Sequence, residues 1–264
     1  MSGMLRNLLQ YRHFILSSIK NELITRFTRS KLGGLWLIIN PLAQAAIYAL
    51  ILSNVISAKL PGIDNKYAYA IYLMAGLLAW TLFSEIVSRC LNLFIQQGNL
   101  MKKMKFPRIT LPVIVVGSCL INNVLLFTAM VAIFLLLGHH FSVAILWLLP
   151  LTLLLTVFAL GVGLVLGVIN VFIRDLSQAV PIFLQTLFWF TPIVYPVTII
   201  PESYRHWLIL NPIYHFTSSY QEIIVYGRAP QIESVLIIGA LAGFLLFLSL
   251  LMFRRSSEDI MDVL

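Results

Sequence analysis

Val143–Phe172 reads VAILWLLPLTLLLTVFALGVGLVLGVINVF, thirty consecutive residues without one charged side chain. A helix that crosses the hydrocarbon core of a bilayer needs about 20 such residues. This run is longer, so the helix tilts or projects beyond the hydrocarbon into the cytoplasm. The remainder of the chain follows the same pattern: 60% of the 264 residues are apolar and only 11% are charged. A soluble domain carries roughly 25% charged residues, so a soluble enzyme, a disordered chain and a disulfide scaffold are excluded. Cys90 and Cys119 form no metal or redox pattern and fall near or inside apolar segments, where cysteine acts as a small buried side chain.

Working outward from that run, five further apolar stretches reach spanning length, at about 35–57, 67–89, 111–137, 177–195 and 233–253. The fold class is therefore an all-α membrane protein with six transmembrane helices, occupying 35–253. No signal peptide is visible: residues 1–34 hold six Lys and Arg and are longer and more structured than a signal n-region. Lys and Arg in the short flanks set the orientation. Fourteen fall in 1–34, 89–108, 174 and 254–255, against four on the opposite side: Lys59, Lys66, Arg205 and Arg228. Both termini, including the 254–264 tail, are expected in the cytoplasm. The net charge of +8 is then a topology signal rather than a nucleic-acid-binding one.

Three segments outside the spans carry more information. In 1–34, Leu5, Leu8, Leu9, Ile15, Leu16, Ile19, Leu23 and Phe27 recur at helical spacing with basic residues between them. This predicts an amphipathic helix on the cytoplasmic surface, either as a lipid anchor or as a docking face for a cytoplasmic partner. Residues 91–110, LNLFIQQGNLMKKMKFPRIT, form the one sizeable cytoplasmic loop between spans. It is helix-compatible from Asn92 to Met104, and Phe106-Pro107 ends it. Such a basic helix serves as a retention signal or as a lever for a soluble motor. The outer segment 196–230 holds Pro196, Pro201, Pro212 and Pro230 just after Pro192, and is too apolar for a plain loop and too broken for a span. Irregular backbone at membrane depth survives only inside protein or against a water-filled cavity. This predicts short re-entrant helices, with cysteines at Ser203, Ser218 and Ser219 open to label from outside.

Eight of the ten tyrosines fall on the outer side, where headgroups accommodate an apolar ring with a wet hydroxyl. Gly163/Gly167 and Gly239/Gly243 are small-residue pairs that let helices approach closely. No Gly-x-x-x-x-Gly-Lys-Ser/Thr loop and no His-Glu-x-x-His occur. The chain is thus read as no enzyme, with no catalytic residue, no metal site and no cofactor of its own. His139-His140 reads as a polar cap. Glu85 lies near the inner end of the second span, and Arg174-Asp175 reads as a local charge pair. A proton-coupled carrier or a membrane transferase would show more clustered acids.

Several motifs, in order, carry a resemblance. They are Arg26-x-x-Arg-Ser-Lys-Leu-Gly-Gly-Leu-Trp36 running to Pro41, Asn99-Leu-Met-Lys-Lys-Met-Lys-Phe-Pro107, Asn170-Val-Phe-Ile-Arg-Asp175, Thr191-Pro-Ile-Val-Tyr195 and Leu210-Asn-Pro212. Together they resemble the permease subunits of type 2 ABC exporters, more narrowly the polysaccharide-export branch that carries O-antigen, capsule and teichoic acid. The resemblance spans nearly the whole chain. It implies a homodimer in the bacterial inner membrane, two copies of a cytoplasmic ATPase that bind ATP and Mg, and a lipid-linked glycan as cargo. It also places Arg26, Arg29, Asn99, Lys102, Lys103, Lys105, Phe106 and Pro107 at the ATPase contact. Pro201, Tyr204, Asn211 and Pro212 become an outer gate. A sliding glycan needs a wet, aromatic-lined path, for which Tyr48, Trp80, Phe188, Trp189 and Tyr195 are the candidates, with Trp36 beside them. The rival readings are a small-molecule or drug exporter of the same superfamily and, further off, a secondary transporter or membrane transferase.

Overall fold

The computed structural model describes residues 9–28, 33–36, 38–44, 46–47, 68–103, 107–136 and 138–256, with the side chains of 26–28 and 34 excepted. Every regular element among them is helical. The order is α1 (Arg12–Thr28), a 3-10 turn at Gly33–Leu35, further helical backbone between 36 and 47, α2 (Ala68–Gln96), α3 (Gly98–Lys103) and α4 (Thr110–Leu136). Then follow a 3-10 turn at Val143–Trp147, α5 (Leu148–Phe172), α6 (Leu176–Phe190), α7 (Glu202–Leu208), α8 (Pro212–Tyr226) and α9 (Ile232–Arg255).

Among the described residues, four helices are long and apolar enough to cross a membrane: Ala68–Gln96, Thr110–Leu136, Val143–Phe172 and Ile232–Arg255. The expected second span thus continues inward past residue 89 to Gln96. The expected fifth span, 177–195, is a helix of 15 residues that ends at Phe190, because Thr191-Pro192 cannot continue it. The first expected span, 35–57, lies within the described residues only as far as Ile47.

α2 is the central helix, apolar except for a polar stretch around Glu85 and Arg89. Its most apolar stretch is 72% buried, against 17% for α9. It packs against α5, α8 and α4, and α5 in turn packs against α9. Gly163 and Gly167 set the α2–α5 distance: their bare α-carbons face Cys90 and the backbone of Val87. This is the close approach their spacing predicts. Gly239 and Gly243 do not form a second one. A Cβ at Gly243 would meet nothing within 4 Å, and the α5–α9 approach is made instead by Gly161 against the backbone of Leu245 and Leu246.

α1 departs from the flat surface helix that its amphipathic pattern suggests. Ile15 and Ile19 are buried, and α1 packs on the first turns of α4, where Ile19 sits against Gly117. Leu9 and Leu16 stay 68% and 62% exposed. The helix therefore has two apolar faces, one of them occupied by the chain itself.

Candidate transport path and coupling surface

At the end expected to face the cytoplasm, the inner end, α2 breaks at Gln97 and restarts as α3. Met101 and Gly98 are buried and anchor this six-residue helix, while Asn99, Lys102 and Lys103 are exposed. Pro107 is half-buried, and its carbonyl accepts from both the backbone and the hydroxyl of Thr110, which starts α4. So the structure brings Asn99, Lys102, Lys103 and Pro107 into one short connection. Lys105, Phe106 and Arg29 lie outside the described residues, as does the side chain of Arg26. Arg174 and Asp175 are both exposed and form no ion pair with each other. Adjacent side chains at the start of a helix point apart.

Above this surface lies a polar knot that the sequence reading did not single out. Arg89 of α2 bridges Glu22 of α1 at 2.6 Å and Glu85, one turn earlier on α2, at 3.5 Å. The second oxygen of Glu22 accepts from the Ser118 hydroxyl of α4 at 2.8 Å. Glu85 accepts from the Asn122 amide, also at 2.8 Å. Three helices thus meet in one chain of charge-assisted hydrogen bonds, which are stronger than neutral ones. A visible signal was available: Glu22, Glu85 and Asn122 are polar residues within otherwise apolar helix faces.

At the outer end, Thr191-Pro-Ile-Val-Tyr195 is a turn with Ile193 and Val194 fully buried. Its carbonyls have no helical partners, and the protein supplies them. The hydroxyl of Tyr69 donates to Val194 at 2.5 Å, and that of Tyr72 to Pro192 and Tyr195 at 3.3 and 3.4 Å. Gln221 of α8 donates to Pro192 at 3.2 Å. Tyr69, Tyr72 and Tyr220 are buried, so they are internal donors rather than headgroup anchors. Tyr220 shares a 2.6 Å hydrogen bond with the Thr152 hydroxyl. His139 is likewise an internal latch, donating to the Ile224 carbonyl at 2.7 Å.

Of the expected outer gate, Pro201 and Tyr204 are exposed at the start of α7. Asn211 caps α8: its side-chain oxygen accepts from Ile213 at 3.0 Å, with Pro212 at the first helical position. Its amide reaches Thr191 at 2.9 Å and ties the cap to the outer turn. Ser203 is exposed and Ser218 half-buried. Ser219 is buried and bonded to the His215 carbonyl, so it faces the protein, contrary to the sequence expectation.

The candidate lining residues come together. Trp80 contacts Phe188 with ring centres 5.4 Å apart, Phe188 meets Trp189 edge-on at 5.6 Å, and the Tyr195 hydroxyl donates to the Trp189 carbonyl at 2.7 Å. Trp80 and Phe188 are buried, and Trp189 is 51% exposed. Tyr48 lies outside the described residues.

Comparison with known proteins agrees with this architecture. Residues 14–225 match the profile of the family described as "ABC-2 type transporter". The chain belongs to that family. An ABC-2 chain from Myxococcus xanthus, named an O-antigen export system permease protein, is 32% identical over 98% of both chains. A Klebsiella pneumoniae protein of the same name is 29% identical over 83% of both. An Escherichia coli polysialic acid transport protein is 26% identical over 90% of this chain and 91% of its own. The shared family accounts for a permease subunit of an ABC exporter.

Proposed function

We propose that the chain is the membrane-spanning subunit of an ATP-driven exporter that moves a lipid-linked polysaccharide, of the O-antigen class, across the bacterial inner membrane. The observation that carries this reading is the 32% identity over 98% of both chains to a protein named as an O-antigen export permease. In this reading the chain crosses the membrane six times with both termini in the cytoplasm, and two copies form the channel. Two copies of a separate cytoplasmic ATPase bind and hydrolyse ATP. They engage α3 and the basic residues around it, where exposed Lys102 and Lys103 meet acidic or hydrogen-bonding groups. α7 and α8 dip into the outer leaflet and shape the exit. The Trp80, Phe188, Trp189 and Tyr195 cluster gives sugar faces a weak, repeated contact that a sliding polymer tolerates.

Deleting the gene should leave lipid-linked glycan inside the cell and remove it from the surface, with restoration by the intact gene. The purified chain should hydrolyse no ATP until its partner subunit is added. Normal surface glycan in the deletion strain would overturn the reading.

A further inference from the structure

At the outer end a cleft of about 300 Å3 opens between α8, the first turn of α9 and Ile209, which follows α7. None of its described lining residues belongs to the aromatic cluster or to the Thr191–Tyr195 turn. Its walls are rich in acceptors. Glu222 is half-buried on the α8 wall, and Glu233 is exposed on the α9 wall. Among the described residues no ion pair joins either carboxylate to a cation. Arg205 is held by Glu202 and by the carbonyls of Thr198 and Ile200, and Arg228 lies over the ring of Tyr226. His215, 9% exposed, lines the same cleft. Its Nε2 lies 3.0 Å from the Ile209 carbonyl. A carbonyl can only accept, so Nε2 carries the proton and Nδ1 keeps a lone pair. Nδ1 has no hydrogen-bond partner among the described residues, and it is not sealed off as the Oδ1 atoms of Asn122 and Asn170 are.

Two unpaired carboxylates and an acceptor nitrogen define what fits. The occupant donates hydrogen bonds and carries positive charge. His215, Glu222 and Glu233 do not stand together as the ligands of a metal ion would, so the cation is one that spreads its donors. A primary ammonium has three N–H donors, and its bonds to carboxylates are of the strong, charge-assisted kind. The surroundings say what carries it. Ile209 and Ile237 line the cleft and are exposed, and Ile232 and Leu236 extend that apolar face along α9. Gln231 makes no side-chain cap on α9. The N–H groups of the first turn therefore remain for an anion, which a helix N-terminus favours. An ammonium, a phosphate and acyl chains are the parts of one molecule, an ethanolamine-type phospholipid.

We infer that this cleft binds the headgroup of a phospholipid that ends in a primary ammonium. The ammonium donates to Glu222, Glu233 and His215 Nδ1, and the acyl chains lie along α9. The lipid fills the gap between α8 and α9. It thereby steadies α8, the helix that also braces the outer turn through Gln221. The inference takes from the proposed function only the outward placement of this end, and it needs no glycan cargo.

The test uses the full chain in vesicles of equal parts of ethanolamine, choline and glycerol phospholipids, with one of the three radiolabelled in each preparation. A photoreactive phenylalanine analogue replaces Ile237 in the cleft wall or Phe247, exposed further along α9. Capture at 237 should favour the ethanolamine lipid over the other two about fivefold to tenfold, the gain from a hydrogen bond to a charged group. Capture at 247 should follow the mixture. Glu222→Gln and, at an exposed position, Glu233→Gln should each bring the ratio at 237 toward that at 247. Ethanolamine lipids carrying one and two N-methyl groups, tested on the unaltered chain, should lose the preference stepwise as N–H donors are removed, which no folding defect can imitate. Equal capture of ethanolamine and choline lipids at 237 overturns the inference. So does a preference for the glycerol lipid, a preference that survives both substitutions, or capture at 237 of a second copy of the chain alone. Export is not read, so failure here leaves the polysaccharide reading standing.

Discussion

The two ends of the bundle both interrupt their helices, and they treat the interruption in opposite ways. At the outer end Pro192 and its neighbours free several carbonyls, and Tyr69, Tyr72 and Gln221 satisfy them from within the chain. At the inner end α3 is anchored by Met101 and Gly98 and leaves Asn99, Lys102 and Lys103 turned outward. A break closed by its own side chains keeps its shape without help. A break with its charges exposed presents them to its surroundings. The one break is tied shut by the chain itself, and the other is left open.

The largest effect expected from breaking this contrast lies just above the inner surface. Arg89→Met leaves Glu22 and Glu85 without their cation. With the side chains of Arg89 and Glu22 23% and 28% exposed, the cost should be about 2–3 kcal/mol, below the roughly 3–5 kcal/mol of a fully buried pair. The heat stability of the detergent-solubilised chain measures it, and an unchanged transition would remove the knot from the list of structural ties.

At the outer end, the double change Tyr69→Phe, Tyr72→Phe keeps both rings and removes the donors. Destabilisation of about 1–3 kcal/mol is expected. Export per folded chain should stay near the wild-type level. Tyrosines that served only as headgroup anchors would lose almost nothing on this change, so a neutral result would restore that role.

The charge reversal Lys102→Glu, Lys103→Glu, Lys105→Glu should change stability by no more than about 0.5 kcal/mol, as exposed substitutions do. Co-purification with the ATPase should nevertheless fall. Retained co-purification and export in a correctly inserted chain would show that the contact is made elsewhere. The mildest probe is labelling: Ser203→Cys should react with an impermeant thiol reagent from outside while Ser219→Cys is protected. Equal reaction at both would mean that α8 faces water along the Ser219 side.

The long spans were legible because an apolar run above 20 residues has few other uses. A short basic helix was legible before Pro107, but not its bounds: the pattern runs from Asn92 to Met104, whereas α2 continues to Gln96 and α3 covers Gly98–Lys103. Tyr69 and Tyr72 were not, because their carbonyl partners lie 120 to 125 residues away in sequence and a headgroup role explains their outer placement equally well. The docking of α1 was hidden for a related reason. Its periodicity shows that it has an apolar face, yet not that Ile15 and Ile19 are buried, with Ile19 against α4, while Leu16 stays exposed. The Gly239/Gly243 spacing named no interface, since small pairs recur along apolar helices whether or not a neighbour is near.

The tie between Glu22 and Arg89 also sets an order of assembly. Arg89 lies 67 positions after Glu22, and Ser118 lies 96 positions after it, so neither exists when α1 leaves the ribosome. Synthesis at about 5–20 residues per second leaves α1 several seconds to wait before its final partners are made. α1 is thus made well before the partners that seat it, and a chain halted before the third span should still offer α1 to a protease.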